Sequence, residues 1–196
     1  MRFTKVSSDA FDELQLNAGV LLSTFNPAEP SEPASADIIC TTSGGIQAKC
    51  VPTYSDFGED VDNVPNNMKE FKHLDGWECS LAFTNIKFNQ SNIALALGAA
   101  TKTGTSKVVP NKDLSQSDFA DIWWVGDKAD GGAVAIKLIN ALSTGGFDMQ
   151  TTKNGKGTMA MTITGHVSVN SQDTMPMEFY ILEAPSGSTG STGTTS

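Results

Sequence analysis

At 196 residues and 20.7 kDa the chain is long enough for one domain with a sizeable core and too short to make two the default. Its formal charge of −9 and pI near 4.5 argue against a nucleic-acid-binding surface, because phosphate contacts need clustered Lys and Arg and only 13 such residues are scattered here. No apolar run approaches the ~18 residues of a membrane span, and the start MRFTKVSSDAFDELQL carries acids where a signal peptide has its apolar region, so a soluble, non-secreted chain is expected.

An apolar fraction of 39%, with 18 Gly and abundant Thr and Ser, favours strands and turns over long helices. In chain order, a helical turn is expected over Asp9 to Leu14, followed by a strand in NAGVLLST. Pro27, Pro30 and Pro33 with Glu29 and Glu32 mark an irregular surface crossing, and Asp37 to Thr42 is the next candidate strand. Gly44-Gly45 reads as a turn.

Tyr54 to Glu78 is then a long, poorly patterned acidic stretch. It holds Asp56, Glu59, Asp60, Asp62, Glu70, Asp75 and Glu78 against Lys69 and Lys72, so five of the nine excess negative charges fall in 25 residues. Compact domains seldom carry such a loop without a use for it.

NQSNIALALGAA is the main helix candidate, with Asn89 or Ser91 as cap, Ile93, Leu97 and Leu95 or Ala96 as apolar contacts, and Gly98 as its end. From Asp121 the pattern gives four antiparallel strands in succession: DIWWVGDK, AVAIKLIN, FDMQTT and GTMAMTITGHVSVN. Asn154-Gly155 predicts a tight type I′ hairpin between the last two. In the fourth strand Met159, Met161, Ile163, Val167 and Val169 share one face, as a half-buried strand requires. MEFYIL, Met177 to Leu182, would close the sheet. PSGSTGSTGTTS from Pro185 reads as a flexible tail, leaving 1–184 as the domain.

No catalytic constellation emerges, so the chain is not expected to be an enzyme and no cofactor or metal is expected. Asp56-Phe57-Gly58 spells the magnesium tripeptide of kinases without its partner motifs. The acids from Asp56 to Asp62 fit no EF-hand register. His73 and His166 lack an identifiable nucleophile or paired carboxylate, and His166 is expected on a solvated or interface face rather than as a general base. Asn89-Gln90-Ser91 matches a glycosylation sequon but reads better as the helix cap. Cys40, Cys50 and Cys79 are odd in number and lack Cys-x-x-Cys spacing, so they are expected to be small buried thiols and not a disulfide framework or zinc site. Ile122-Trp123-Trp124-Val125 is large and apolar on both strand faces, so each face needs a cover: the helix on one side, or a neighbouring subunit meeting Trp123 and Trp124.

In the order of its parts the sequence resembles the major tail proteins, or tail tube proteins, of long-tailed bacteriophages of Gram-positive hosts. The resemblance is carried by FDELQLNAGVLL with its following Asn-Pro, the Gly44-Gly45 turn leading to PTYSDFGEDVDNVPNNMKEFKHLDGWECSLAFT, the helix NIALALGA, the strand DIWWVGD and the late Asn-Gly hairpin, over residues 9–183. It implies an antiparallel β-sandwich or barrel with one flanking helix and a long loop. It further implies a homo-oligomer of stacked, hexameric rings forming the hollow tail tube through which phage DNA passes. The implied location is the virion tail, assembled in the host bacterial cytoplasm. The implied partners are the tape-measure, tail-terminator and distal tail proteins, with DNA only in transit and no membrane. Inter-ring contact would fall on the long loop, with Tyr54, Asp56, Phe57, Glu59, Asp60, Asp62 and Met68 as candidates, and no immunoglobulin-like decoration is expected. The alternative is a ligand- or carbohydrate-binding β-sandwich module in which Trp77, Trp123 or Trp124 stacks on sugar rings.

Overall fold

The computed structural model describes residues 5–184. In chain order the elements are β1 (Gln15–Leu22), β2 (Thr42–Asp56), β3 (Lys72–Asn85), α1 (Gln90–Leu97), β4 (Ala100–Thr103), β5 (Lys107–Pro110), β6 (Ala120–Lys128), β7 (Ala133–Ser143), β8 (Asp148–Gln150), β9 (Thr158–Thr164) and β10 (Met177–Leu182). Every strand pair is antiparallel. One layer runs β1-β6-β7 with β10 on the other side of β7; the second runs β7-β9-β3-β2 with β8 beside β9. The mainly β fold with one flanking helix, expected from composition and period, is what forms.

β7 belongs to both layers. Through Leu138 it pairs with β10 and β6, with β6 reaching on to Ala141 past an irregularity, whereas Leu142 and Ser143 pair with β9. The strand turns between layers at Asn140, whose φ of 46° lies in the left-handed region that Asn tolerates better than most side chains. Three bonds hold that corner: Asp121 Oδ1 accepts from the Asn140 N–H at 3.0 Å, the Asn140 amide donates to the His166 carbonyl at 3.0 Å, and the His166 N–H donates to Ile139 O at 3.1 Å.

The inner faces meet in a core of Leu21, Ile122, Ile136, Leu138 and Met177 from one layer and Cys79, Leu81, Phe83, Met159, Met161 and Ile163 from the other. α1 closes one end through Ala96, while Asn89 caps it by accepting from the Asn92 N–H at 2.8 Å and Gly98 ends it at a φ of 74°. The helix buries Asn92, Ala94 and Ala96, leaving Ile93, Leu95 and Leu97 half-buried, so its packing face is made of smaller side chains than expected. Asn92 is stabilised there because its amide donates to Lys87 O at 2.9 Å.

The double-sided apolar strand β6 is covered within the chain. Trp123 lies on the outer face with Leu22 and Ala135, beneath Phe25, Ile38 and Tyr180, and is 7% exposed. The irregular segment between β1 and β2 therefore does the covering that had been assigned to the helix or a neighbour. Trp124 faces the other way, half-buried, with its indole N–H donating to Ala18 O at 3.0 Å. A Cβ at Gly19, where φ is 67°, would stand 2.5 Å from that indole nitrogen, so the bulge in β1 needs glycine.

Several expectations are corrected. Asp37 to Thr42 yields only a bridge between Ile38 and Leu22, and Gly44-Gly45 is a bulge inside β2 rather than a turn, with φ of 83° and 84°. Asn154-Gly155 is not a two-residue hairpin: β8 and β9 pair from Gln150 and Thr158, and neither residue of the dipeptide has positive φ. β8 is short and exposed, so little burial drives its pairing farther, and the connection turns instead on a Gly155 N–H bond to Thr152 O. β9 stops at Thr164, and Gly165 follows in close quarters, where an added Cβ would stand 2.8 Å from Leu138 Cδ1; Val167 and Val169 lie outside the core, exposed. β7 and β8 share one edge of β9 rather than forming a four-strand succession, and β10 pairs with β7. The β4–β5 hairpin was not expected; its short Thr-Lys-Thr and Lys-Val-Val runs flank Gly104, at a φ of 59°. The proposed tail, residues 185–196, lies outside the described residues.

Candidate functional site

The acidic stretch is mostly strand, not loop. β2 and β3 stay paired from Thr42↔Asn85 to Asp56↔Lys72, whereas β9 supports β3 only from Ser80 to Asn85. Beyond Cys79 the two strands therefore continue as a hairpin arm, and only residues 57–71 remain as its tip. Periodicity missed this because a bulge that skips Asp75, between Thr53↔Gly76 and Tyr54↔Leu74, breaks the alternation of the arm.

One face of the arm continues the core face. Cys79 and Leu81 are buried, and the residues that follow on the same side are Trp77 opposite Pro52 and, past a bulge, Leu74 opposite Tyr54. Trp77 is 37% exposed, Leu74 43% and Tyr54 58%, with Phe57 at 66% just beyond. A contiguous apolar stripe on a projecting arm is the kind of surface that marks a contact site.

The tip is built, not slack. Asp56 Oδ1 accepts from the Gly58 N–H at 3.0 Å, and its other oxygen meets Lys72 Nζ at 3.1 Å. The Gly58 bond, followed by Lys72, holds the Asp56 carboxyl below its ordinary range. The Phe57 N–H donates to Phe71 O, Ser55 Oγ donates to Asp75 at 2.6 Å, and the Phe57 and His73 rings lie 5.8 Å apart. Asp56 thus caps a turn, the role that the kinase-like and calcium-like fragments had obscured. Glu59, Asp60, Asp62 and Met68 are exposed at the tip with no ion pair among the described residues.

The opposite end of the molecule is richer in lysine, although Asp113, Asp118 and Asp148 lie close to it. Asn85 of β3 pairs with Met159 near the start of β9, so the β8–β9 connection with Lys153 and Lys156 lies at the end away from the arm tip. α1 follows five residues after Asn85, and the Gln90 amide donates to Gly104 O and Lys107 O, bringing the β4–β5 hairpin to that end as well. Residues 86–112 and 151–157 contain six lysines and no acid. None of the six takes part in an ion pair among the described residues. Neither composition nor any local motif showed this polarity, since the two lysine-bearing segments are forty residues apart and meet only through the fold.

The remaining candidates sort simply. Trp123 is enclosed, its ring 5.5 Å from Phe25 and 5.4 Å from Tyr180 with Lys137 Nζ above it at 5.6 Å, which leaves little of it for a neighbour or a sugar. Only part of Trp124 is open. His166 is not on a solvated face: it is half-buried, presents Nδ1 to Asn140 O at 3.1 Å and packs edge-on to Phe119. Among the described residues β10 pairs only with β7, which leaves its outer edge without a strand partner there, and Phe179 at 60% and Ile181 at 76% exposure stand beside that edge. A cavity of about 550 Å³ lies between the outer sheet face and the Pro-rich segment, lined by Val20, Phe25, Pro30, Pro33 and Val125 among others. No helix among the described residues is long and apolar enough to cross a membrane.

No family model matches the sequence, and no curated protein matches it. Among solved structures, a chain of the virion of a native gene transfer agent particle aligns at 8% identity and a TM-score of 0.42, covering 83% of this chain and 95% of that one. A chain from the tail of an empty gene transfer agent particle, computed with helical refinement in C6 symmetry, aligns at 9% identity and a TM-score of 0.39, covering 77% of this chain and 92% of that one. Likeness at that level assigns this chain neither a fold family nor a function.

Proposed function

We propose that this chain is a non-enzymatic structural subunit of a phage-type tail tube, in which copies join side by side into rings and the rings stack head to tail. The observation that carries the reading is the charge-polar arm: an ordered hairpin with an acidic tip and an uncovered apolar face, at the end of the molecule opposite a lysine-rich surface. Such a subunit is complementary to itself by translation, which is the heterologous contact that generates stacked assemblies. The exposed edge of β10, with Phe179 and Ile181, supplies a second surface, suited to lateral pairing with the next subunit in a ring. Six subunits per ring, DNA passage and contact with tape-measure, terminator and distal tail proteins come with the resemblance of the sequence to tail tube proteins.

Negative-stain electron microscopy of the purified protein over a range of concentrations tests the reading. Rings or tubes support it; particles that stay monomeric at every concentration and ionic strength tried oppose it.

A further inference from the structure

We propose that Cys50 and Cys79 are a covalent modification site, which a small-molecule disulfide such as oxidised glutathione converts into a cross-strand disulfide at the root of the arm. The two are direct register partners on β2 and β3, with sulfur atoms 2.8 Å apart. Directly opposed antiparallel residues have Cα atoms about 4.5–5.5 Å apart, inside the roughly 4.4–6.8 Å span that a disulfide bridges. The odd number of cysteines hid this pair in the sequence, since the partners lie 29 positions apart and meet only across the hairpin.

Their place gives the bond a consequence. Cys79 O accepts from the Gly165 N–H at 2.9 Å, and Ser80 begins the pairing of β3 with β9, so Cys79 sits where the arm leaves the two-layer body. A bond there fixes both strands of the arm to the supported part of the sheet. Cys40, buried and outside the strands, has no such partner.

The chemistry balances without a metal. Cys50 is half-buried and Cys79 fully buried, so Cys50 is the sulfur that a solute reaches. The Cys50 thiolate attacks one sulfur of oxidised glutathione, forming a mixed disulfide and releasing a glutathione thiolate, which takes up the proton Cys50 lost. Cys79 then attacks the Cys50 sulfur, expels the second glutathione in the same way, and closes the bond. Two protein thiols are oxidised and one glutathione disulfide is reduced to two thiols. Burial, and then the neighbouring Cys50, push the Cys79 thiol up to about 12 in the reduced pair; the burial persists once Cys50 is in the mixed disulfide, so the second step quickens as pH rises.

The site does not depend on the assembly reading. Its test is to treat the full, reduced chain with oxidised glutathione and to record intact mass, free thiols and linked peptides. The expected result is a monomer lighter by two hydrogens, one thiol remaining of three, and a peptide containing Cys50 joined to one containing Cys79. Cys40→Ala should keep the bond and Cys50→Ser should lose it, each with an unchanged circular dichroism spectrum. Three thiols persisting after the treatment, a glutathione adduct that never closes, or a bond to Cys40 or to a second chain would overturn the proposal.

Discussion

Asn140 and His166 hold each other across the corner where β7 changes layers: the Asn140 amide donates to the His166 carbonyl at 3.0 Å, and His166 Nδ1 stands 3.1 Å from the Asn140 carbonyl. The pair fixes the angle between the two sheets because Asn140 also takes the positive φ at which the strand bends. Replacing it with Ala removes the side-chain bond and leaves at that positive φ a residue that tolerates the left-handed region less well than Asn. Asn140→Ala is expected to cost about 2–4 kcal/mol, and Asn140→Gly less, since glycine accepts the φ. Urea unfolding midpoints of the two variants measure the difference; an equal loss would mean that backbone strain plays no part.

Trp123 is buried within the chain, beneath Phe25, Ile38 and Tyr180. Truncation to Ala should destabilise the isolated chain by about 3–5 kcal/mol, the range for deleting a buried large aromatic, and the loss should not vary with protein concentration. A stability change under 1 kcal/mol, coupled to a loss of assembly, would return Trp123 to the interface.

The tip of the arm should loosen in acid. The Asp56 carboxyl is lowered in the folded state, first by the Gly58 N–H and then by Lys72. A depressed acid contributes order above its ordinary pKa and loses it as pH falls through the folded value. Hydrogen exchange of the Gly58 and Phe57 amides should therefore rise as pH drops below the usual aspartate range, after correction for intrinsic exchange. Asp56→Asn should remove that pH dependence while leaving the β-sheet core protected.

Much of the fold was legible because burial writes a period into sequence. β10 falls on Met177–Leu182 as expected, the Asn89 cap and Gly98 stop bracket α1, and Met159, Met161 and Ile163 line the core. The arm was legible as charge but not as strand, since the bulge that skips Asp75 breaks the alternation of the hairpin that pairs Asp56 with Lys72. Trp123 advertised a need for cover without saying that Phe25 and Ile38 supply it. The Cys50 and Cys79 contact and the lysine-rich end were not legible at all, because each is assembled from segments that only the sheet order brings together.

Stacking that rests on charge should weaken with salt. At an ionic strength near 0.5 M the screening length falls to roughly half its value at 0.1 M, so tubes formed in dilute buffer should shorten or dissociate as measured by sedimentation. Reversing Lys102, Lys107 and Lys156 to Glu should have the same effect at low salt. Mixing that variant with one carrying Glu59→Lys, Asp60→Lys and Asp62→Lys should restore contacts between unlike copies, each variant supplying the surface the other lacks.

The central claim is that the arm joins one copy to the next along the stack. The most direct test replaces residues 57–71 with a two-residue turn, keeping Asp56 opposite Lys72, and compares melting behaviour and electron micrographs with those of the intact chain. The expected result is an unchanged melting transition with rings or single subunits in place of tubes. Tubes of ordinary length built from the shortened chain would contradict it.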